Sequence, residues 1–167
     1  MKTMLIFCCI VAYALFGLLG CYSFTGASIP AHLHTIGIPL IQDNSGFGQS
    51  DIKQQLTDQL VQKFTRDGSL QVRDRAISDA VLEVTITGIS DLPVSVRVGE
   101  ELTNKRVTIS VDATYRDQKK QKLIWERNFQ QSSDYSINGG LASLQTALKS
   151  AQDKLSDDLL LGVISNW

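Results

Sequence analysis

Three stretches of this chain alternate apolar and polar residues with a period of two. In the first, Ala80 to Ile89, Leu82, Val84 and Ile86 fall on one side and Glu83, Thr85 and Thr87 on the other. The second, Lys105 to Asp117, sets Val107, Ile109, Val111, Ala113 and Tyr115 against Thr108, Ser110, Asp112, Thr114 and Arg116. The third, Leu123 to Gln131, has Leu123, Trp125 and Phe129 as its apolar set. Successive side chains of a strand point to opposite faces of its sheet, so each stretch predicts a strand with one dry and one wet face. Consecutive strands of that kind make an antiparallel meander covered on one side only. A layer of helices has to supply the cover.

Two stretches have the spacing for it. Ile52, Leu56, Leu60 and Phe64, with Val61 beside them, fall on one stripe and predict a helix over 51–66. Ser50 is placed to cap it, Asp51 to face its dipole, and Asp67-Gly68 to close it. Leu141, Leu144, Leu148, Ala151, Leu155 and Leu159 recur at three- and four-residue steps and predict a second helix over 140–165. Thr35 to Ile41 is β-rich, and Pro39 within it marks an edge or a bulge. Leu70-Gln71-Val72 resumes as strand after the first helix, giving a β-α-β crossover with parallel strands. The expected fold is α+β: a two-layer sandwich, two helices on one face of a four-stranded mixed sheet.

The amino terminus is of another kind. Met1-Lys2 is followed by an uncharged run from Met4 to Leu19. That run has the length of a signal-peptide apolar region and is too short to span a bilayer. It ends in Leu18-Leu19-Gly20-Cys21. A leucine, a small residue and then cysteine is similar to a bacterial lipobox, cut before Cys21, whose thiol and new amine carry acyl chains. The chain is therefore divided into a lipoprotein signal peptide (1–20), an acylated terminus and tether (21–34), and a domain (35–167). The tether reaches at most about 50 Å at ~3.6 Å per residue, which keeps the domain near its membrane.

Charge and thiols narrow the chemistry. Lys and Arg number 16 against 17 Asp and Glu, a net charge of −1, which argues against a nucleic-acid partner. Cys8 and Cys9 leave with the signal, so with Cys21 acylated no thiol remains for a disulfide, a metal or a nucleophile. A triad needs a base beside its nucleophile, and the only histidines, His32 and His34, lie in the tether. Extended, they share a face and read either as half a metal site or as a solvated pair. Gly46-x-Gly48 sits where a dinucleotide loop would, yet Asp51 occupies the third glycine position, where a carboxylate repels phosphate. It reads as a turn. Glu100-Glu101 and Asp157-Asp158 lack the apolar pocket that separates the pKa values of a catalytic pair and read as solvated. No cofactor, metal or enzymatic activity is expected.

Basic residues remain. The connection Ser90 to Asn104 carries Arg97 and runs into Lys105-Arg106, at one end of the meander with Ser132 to Gly139. The hairpin Asp117 to Lys122, with Lys119, Lys120 and Lys122, belongs at the opposite end. Either cluster can meet a phosphate, and a lysine-coated turn also keeps a protein soluble and its edges apart. The Thr- and Ser-rich sheet face has the same two readings, a solvated surface or a wall inside a polar enclosure.

Cys21-Tyr22-Ser23-Phe24, Ile36-Gly37-Ile38-Pro39 and Asp43-Asn44 resemble the start of the LptE family of lipopolysaccharide-assembly lipoproteins. So do Phe64-x-x-Asp67-Gly68-x-Leu70-x-Val72, Ala80-Val81-Leu82-x-Val84-x-Ile86, Arg106-Val107-x-Ile109, Tyr115-Arg116-Asp117, Leu123-x-Trp125-Glu126 and Trp167. The resemblance covers the mature chain and is greatest to the branch outside the enteric bacteria. It implies the same two-helix, four-strand fold and a non-enzymatic role. The partners implied are the LptD β-barrel of the outer membrane, which such proteins plug and help to assemble, and lipopolysaccharide. Tyr22 follows the cysteine where aspartate would signal inner-membrane retention, so outer-membrane placement is expected. Lys105, Arg106, Lys119 and Lys120 are candidate lipopolysaccharide contacts, chosen by charge alone. The alternatives are an adaptor or pilot for another outer-membrane secretion machine, or a lipoprotein binding a small apolar ligand.

Overall fold

The computed structural model describes residues 29–49, 51–94 and 103–165. Its strands are β1 (Thr35–Gly37), β2 (Gln42–Asp43), β3 (Gln71–Arg73), β4 (Ala80–Pro93), β5 (Asn104–Asp117) and β6 (Lys122–Ser136). The helices are α1 (Ile52–Asp67) and α2 (Gly140–Ile164). They form the mixed sheet and two-helix layer that the alternation demanded, with strand order β3-β1-β4-β5-β6.

The strand number needs correcting. Five strands lie along the sheet, with β2 as a sixth short piece on β4, in place of four. β1 and β2 are one course interrupted near Pro39: Gly37 pairs with Val81, and Gln42 with Thr85. The first side of that step is one residue longer than the second, so the proline, which has no N–H to give a ladder, sits in a bulge. β3 then lies parallel to β1 on its far side, Ile36 opposite Val72.

From Arg73 the chain has only residues 74–79 to step across β1 and begin β4 at Ala80. It does so with a single 3-10 turn, Arg75–Ile77, whose Ala76 N–H donates to Asp74 Oδ1 at 2.8 Å. A Cβ placed on Gly37 would lie 2.8 Å from Arg75 Cα. The crossing therefore rests directly on the β1 backbone, where no side chain fits.

The apolar faces behave as their period predicts. Leu82 and Ile86 on β4, and Val107, Ile109, Val111, Ala113 and Tyr115 on β5, are fully buried. From α1, Ile52, Leu56, Leu60 and Phe64 enter the same core, and Gly68 ends the helix at φ 74° with its N–H on the Phe64 carbonyl. Asp51 precedes the helix without a side-chain cap bond, and Ser50 lies outside the described residues. From α2 the buried apolar side chains are Ala147, Leu148, Ala151, Leu155, Leu159 and Val163. Leu141 is 63% exposed, because the first turn of α2 precedes the region where the helix meets the sheet and α1.

Leu123 is a second correction. The register shifts between Tyr115 and Arg116, so Tyr115 faces Trp125 while Arg116 faces Leu123. The extra residue turns Leu123 to the wet face, 40% exposed, and leaves Ile124 packed against the core. One inserted residue reverses the inside-outside phase of the strand beyond it.

Polar groups lock the helices together. The Gln152 side chain is fully buried and its Nε2 donates to the Ile52 carbonyl at 3.2 Å. Lys63 on α1 reaches both Asp153, at 2.9 Å, and Asp157 on α2. Thr57 Oγ1 accepts the Ile41 N–H at 3.1 Å, tying α1 to the segment entering β2.

Candidate functional site

Three regions carry the residues singled out above, and the strand geometry fixes their relation. Lys105 and Arg106 are neighbours on β5, so their side chains leave on opposite faces. Lys105 lies on the helix side, its Nζ 3.0 Å from Asp91 Oδ2, and the Tyr135 hydroxyl donates to the same carboxylate at 2.9 Å. Asp91 raises the Lys105 ammonium pKa; burial, reinforced by Asp91, raises that of the Tyr135 hydroxyl. Arg106 lies on the wet side and pairs through Nε and Nη2 with the two oxygens of Asp134. The two cations do not converge on one ligand. Arg97 and Glu100-Glu101 lie outside the described residues.

Side-chain bonds tie parts of the wet face together. Thr108, Ser110, Asp112 and Thr114 on β5 stand opposite Ser132, Gln130, Asn128 and Glu126 on β6. Asn128 Nδ2 donates to Asp112 Oδ1 at 3.0 Å, and the Thr87 hydroxyl donates to the Ser110 carbonyl at 3.2 Å. Such a face can rest against water or against another polar wall that supplies partners to its remaining hydroxyls and charges.

The third region is the hairpin between β5 and β6, together with residues 29–35. Ala80 pairs with both Ile36 and Asp117, so the chain enters β1 beside this hairpin. At ~3.3 Å per residue, β5 holds it about 40 Å from Lys105 and Arg106, too far for one headgroup to touch both.

Residues 32–35 are clasped there. His32 Nε2 donates to Asp117 Oδ2 at 2.6 Å, and Leu33 is buried. The Asp79 carboxylate accepts the His34 and Thr35 N–H groups at 2.8 and 3.1 Å, while its own N–H donates to Thr35 Oγ1 at 2.8 Å. Lys119 Nζ lies 2.8 Å from Asp79 Oδ1 and donates to the His32 carbonyl at 3.0 Å. The His32 ring is thus engaged in a packed entry segment, whereas His34 is held by its backbone N–H and its residue stays exposed, so the two do not act as a metal-binding pair. Among the described residues no three of His, Cys, Asp and Glu gather as a metal site. Lys119, with the His34 amide, holds the Asp79 carboxyl well below the usual carboxylate range. Burial pushes the Asp117 carboxyl up, but His32 and the Lys120 N–H outweigh it and the net direction is down.

A carboxyl depressed on folding stabilises the fold above its ordinary value of 3.8 and loses that contribution as the pH falls through and below it. Asp79→Asn should therefore cost about 2 kcal/mol at neutral pH, as charge-assisted bonds are lost. Its stability should also fall less than that of the parent between about pH 4 and pH 2. Urea unfolding across that range reads both, and parallel curves would show that Asp79 is not clasped as a carboxylate.

Lys120 and Lys122 are exposed, and neither side chain has an ion-pair partner among the described residues. Asp157 is engaged by Lys63, and Asp158 accepts from Gln131 Nε2, so both carboxylates have structural partners. The clasp itself had no sequence signal beyond the residue types, because its members come from three separated segments.

No curated protein matches the sequence. Among solved structures, the fold is similar to protein XCC0632 from Xanthomonas campestris, 16% identical over 81% of this chain and 89% of that one, with a TM-score of 0.58. PelC from Paraburkholderia phytofirmans, a dodecamer, is 12% identical over 84% and 95%, with a TM-score of 0.57. The rare lipoprotein B from Shewanella oneidensis is 14% identical over 75% and 92%, with a TM-score of 0.53. At these identities the likeness concerns the fold alone. The model of the LptE lipopolysaccharide-assembly family matches residues 33–161, which run from the buried leucine of the clasp almost to the end of α2. The chain belongs to the LptE lipopolysaccharide-assembly family.

Proposed function

We propose that this protein is a lipid-anchored outer-membrane member of its family that plugs an LptD-type β-barrel, assists its assembly and helps pass lipopolysaccharide to the cell surface. Residues 1–20 are the signal peptide, and Cys21 carries the acyl chains. The segment from Cys21 to His34 links them to the domain, with its last part, from Ile29, already against the fold. The role is binding and assembly rather than catalysis.

The observation that carries the reading is the sheet built dry on one face and polar on the other, in a chain of this family. A barrel lumen is polar and water-lined. A plug whose polar face carries Asp112 bonded to Asn128 and Arg106 bonded to Asp134 meets such a wall with part of its charge already paired. Among the described residues no helix is long and apolar enough to cross a membrane. Attachment through acyl chains supplies the membrane contact in this reading, since two or more chains hold stably where one does not.

Affinity purification through this protein from mildly solubilised membranes is expected to bring down a large β-barrel in near-stoichiometric amount. Depletion is expected to strip lipopolysaccharide from the surface. Recovery of a barrel-free monomer under the same conditions would overturn the proposal.

A further inference from the structure

We infer that the β5–β6 hairpin rests on the anionic phospholipid surface of the membrane leaflet that holds the anchor, with Lys120 and Lys122 as its phosphate contacts. The inference rests on the anchored reading of the amino terminus given above.

Entry geometry comes first. The clasp fixes residues 32–35 against the hairpin through His32–Asp117, Asp79 and Lys119. Whatever holds residue 21 therefore pulls on the hairpin end of the domain. Residues 21–28 reach at most about 29 Å at ~3.6 Å per residue, so that end cannot lie far from the headgroups.

Charge comes second. Two carboxylates of this end are already engaged: Asp79 by Lys119 and the entry amides, Asp117 by His32 and the Lys120 N–H. Lys120 and Lys122 are left exposed at the rim of a groove that Pro30, His32, Asp117 and Ile124 complete. Arg116 and the half-exposed Leu123 stand opposite each other on the wet face at the same end. Cations beside an exposed aliphatic side chain suit a headgroup boundary, where the charges meet phosphate and the leucine enters the acyl edge. The other basic pair, Lys105 and Arg106, is bound to Asp91 and Asp134 about 40 Å away and cannot compete for this surface.

The test removes the anchor and asks whether the surface still binds. The chain from residue 21, carrying Cys21→Ser and exported behind an ordinary secretory signal, is mixed with phosphatidylcholine vesicles with and without phosphatidylglycerol. Binding is expected only with phosphatidylglycerol, and it should weaken as salt shortens the Debye length. Adding Lys120→Gln and Lys122→Gln together should lower the partition about 30-fold, at roughly fivefold per lysine. Lys149→Gln, on the exposed side of α2, serves as the control and should change it less than twofold. Circular dichroism confirms that each variant is folded. Equal binding to neutral vesicles, or no loss in the double variant, overturns the inference. Capture by purified lipopolysaccharide without binding to phosphatidylglycerol overturns it too, and assigns the lysines to that ligand. The anchor is read separately, from the mass of the amino-terminal peptide of membrane-extracted protein. An unmodified Cys21 there overturns the anchored reading, whereas acylated Cys21 with no vesicle binding overturns the hairpin inference alone.

Discussion

Gly37→Val is expected to cost this domain about 3 kcal/mol, at the upper end of what overpacking does. Gly37 lies on β1 between β3 and β4, paired with Arg73 on one side and Val81 on the other. A Cβ there would sit 2.7 Å from Ser78 Oγ and 2.8 Å from Arg75 Cα. The serine hydroxyl can rotate away. The Arg75 backbone cannot, because the crossing is short and is held at both ends, by the Ala76 N–H on Asp74 and by the Asp79 N–H on Thr35. Displacing it loosens the clasp as well as the β1–β4 pairing. Gly88→Ala is the control: Gly88 lies in β4 with nothing within 4 Å of its would-be Cβ and no positive φ. In thermal unfolding the valine variant should melt roughly 10 °C below the parent, and the alanine variant close to it. If the two melted alike, the crossing over β1 would be a yielding contact and not a fixed one.

Cys21→Ser is expected to move the protein from the membrane to the soluble periplasmic fraction without unfolding it. Each buried CH₂ is worth about 0.8 kcal/mol, so losing several acyl chains removes far more binding energy than two lysines provide. The fold should not notice. Every described core side chain lies at Leu33 or later, and the entry segment is held by its own clasp. The variant, exported behind an ordinary signal and made in excess of any barrel partner, should wash off membranes with carbonate and melt within about 0.5 kcal/mol of the parent domain. Retention after that wash would mean that something other than lipid is the main attachment.

The variants probe features of very different visibility. The stripe Ile52, Leu56, Leu60, Phe64 and the stop at Gly68 were readable because a helix is shaped by residues three and four apart and by its own cap. The buried face of β5 was readable for the same kind of reason, a period of two that needs no knowledge of the partner strand. The lipobox pattern at Cys21 is likewise a purely local word.

The candidate site was only half visible. Its lysines stood out in the sequence, but whether each was free could not be read there. Lys119 is bound by Asp79, forty residues earlier, and Lys105 by Asp91, across a strand pair. Leu123 looked apolar and inward until the bulge opposite Tyr115 and Arg116 turned it out. The step of β3 past β1 left no mark except Gly37, a glycine whose reason lies in the Arg75 backbone. The sequence by itself determined the helices and the one-sided strands, because each is encoded by neighbours along the chain. The tertiary structure alone decided strand number, register and which charges remain unpaired, because those depend on segments dozens of residues apart meeting at hydrogen-bond distance.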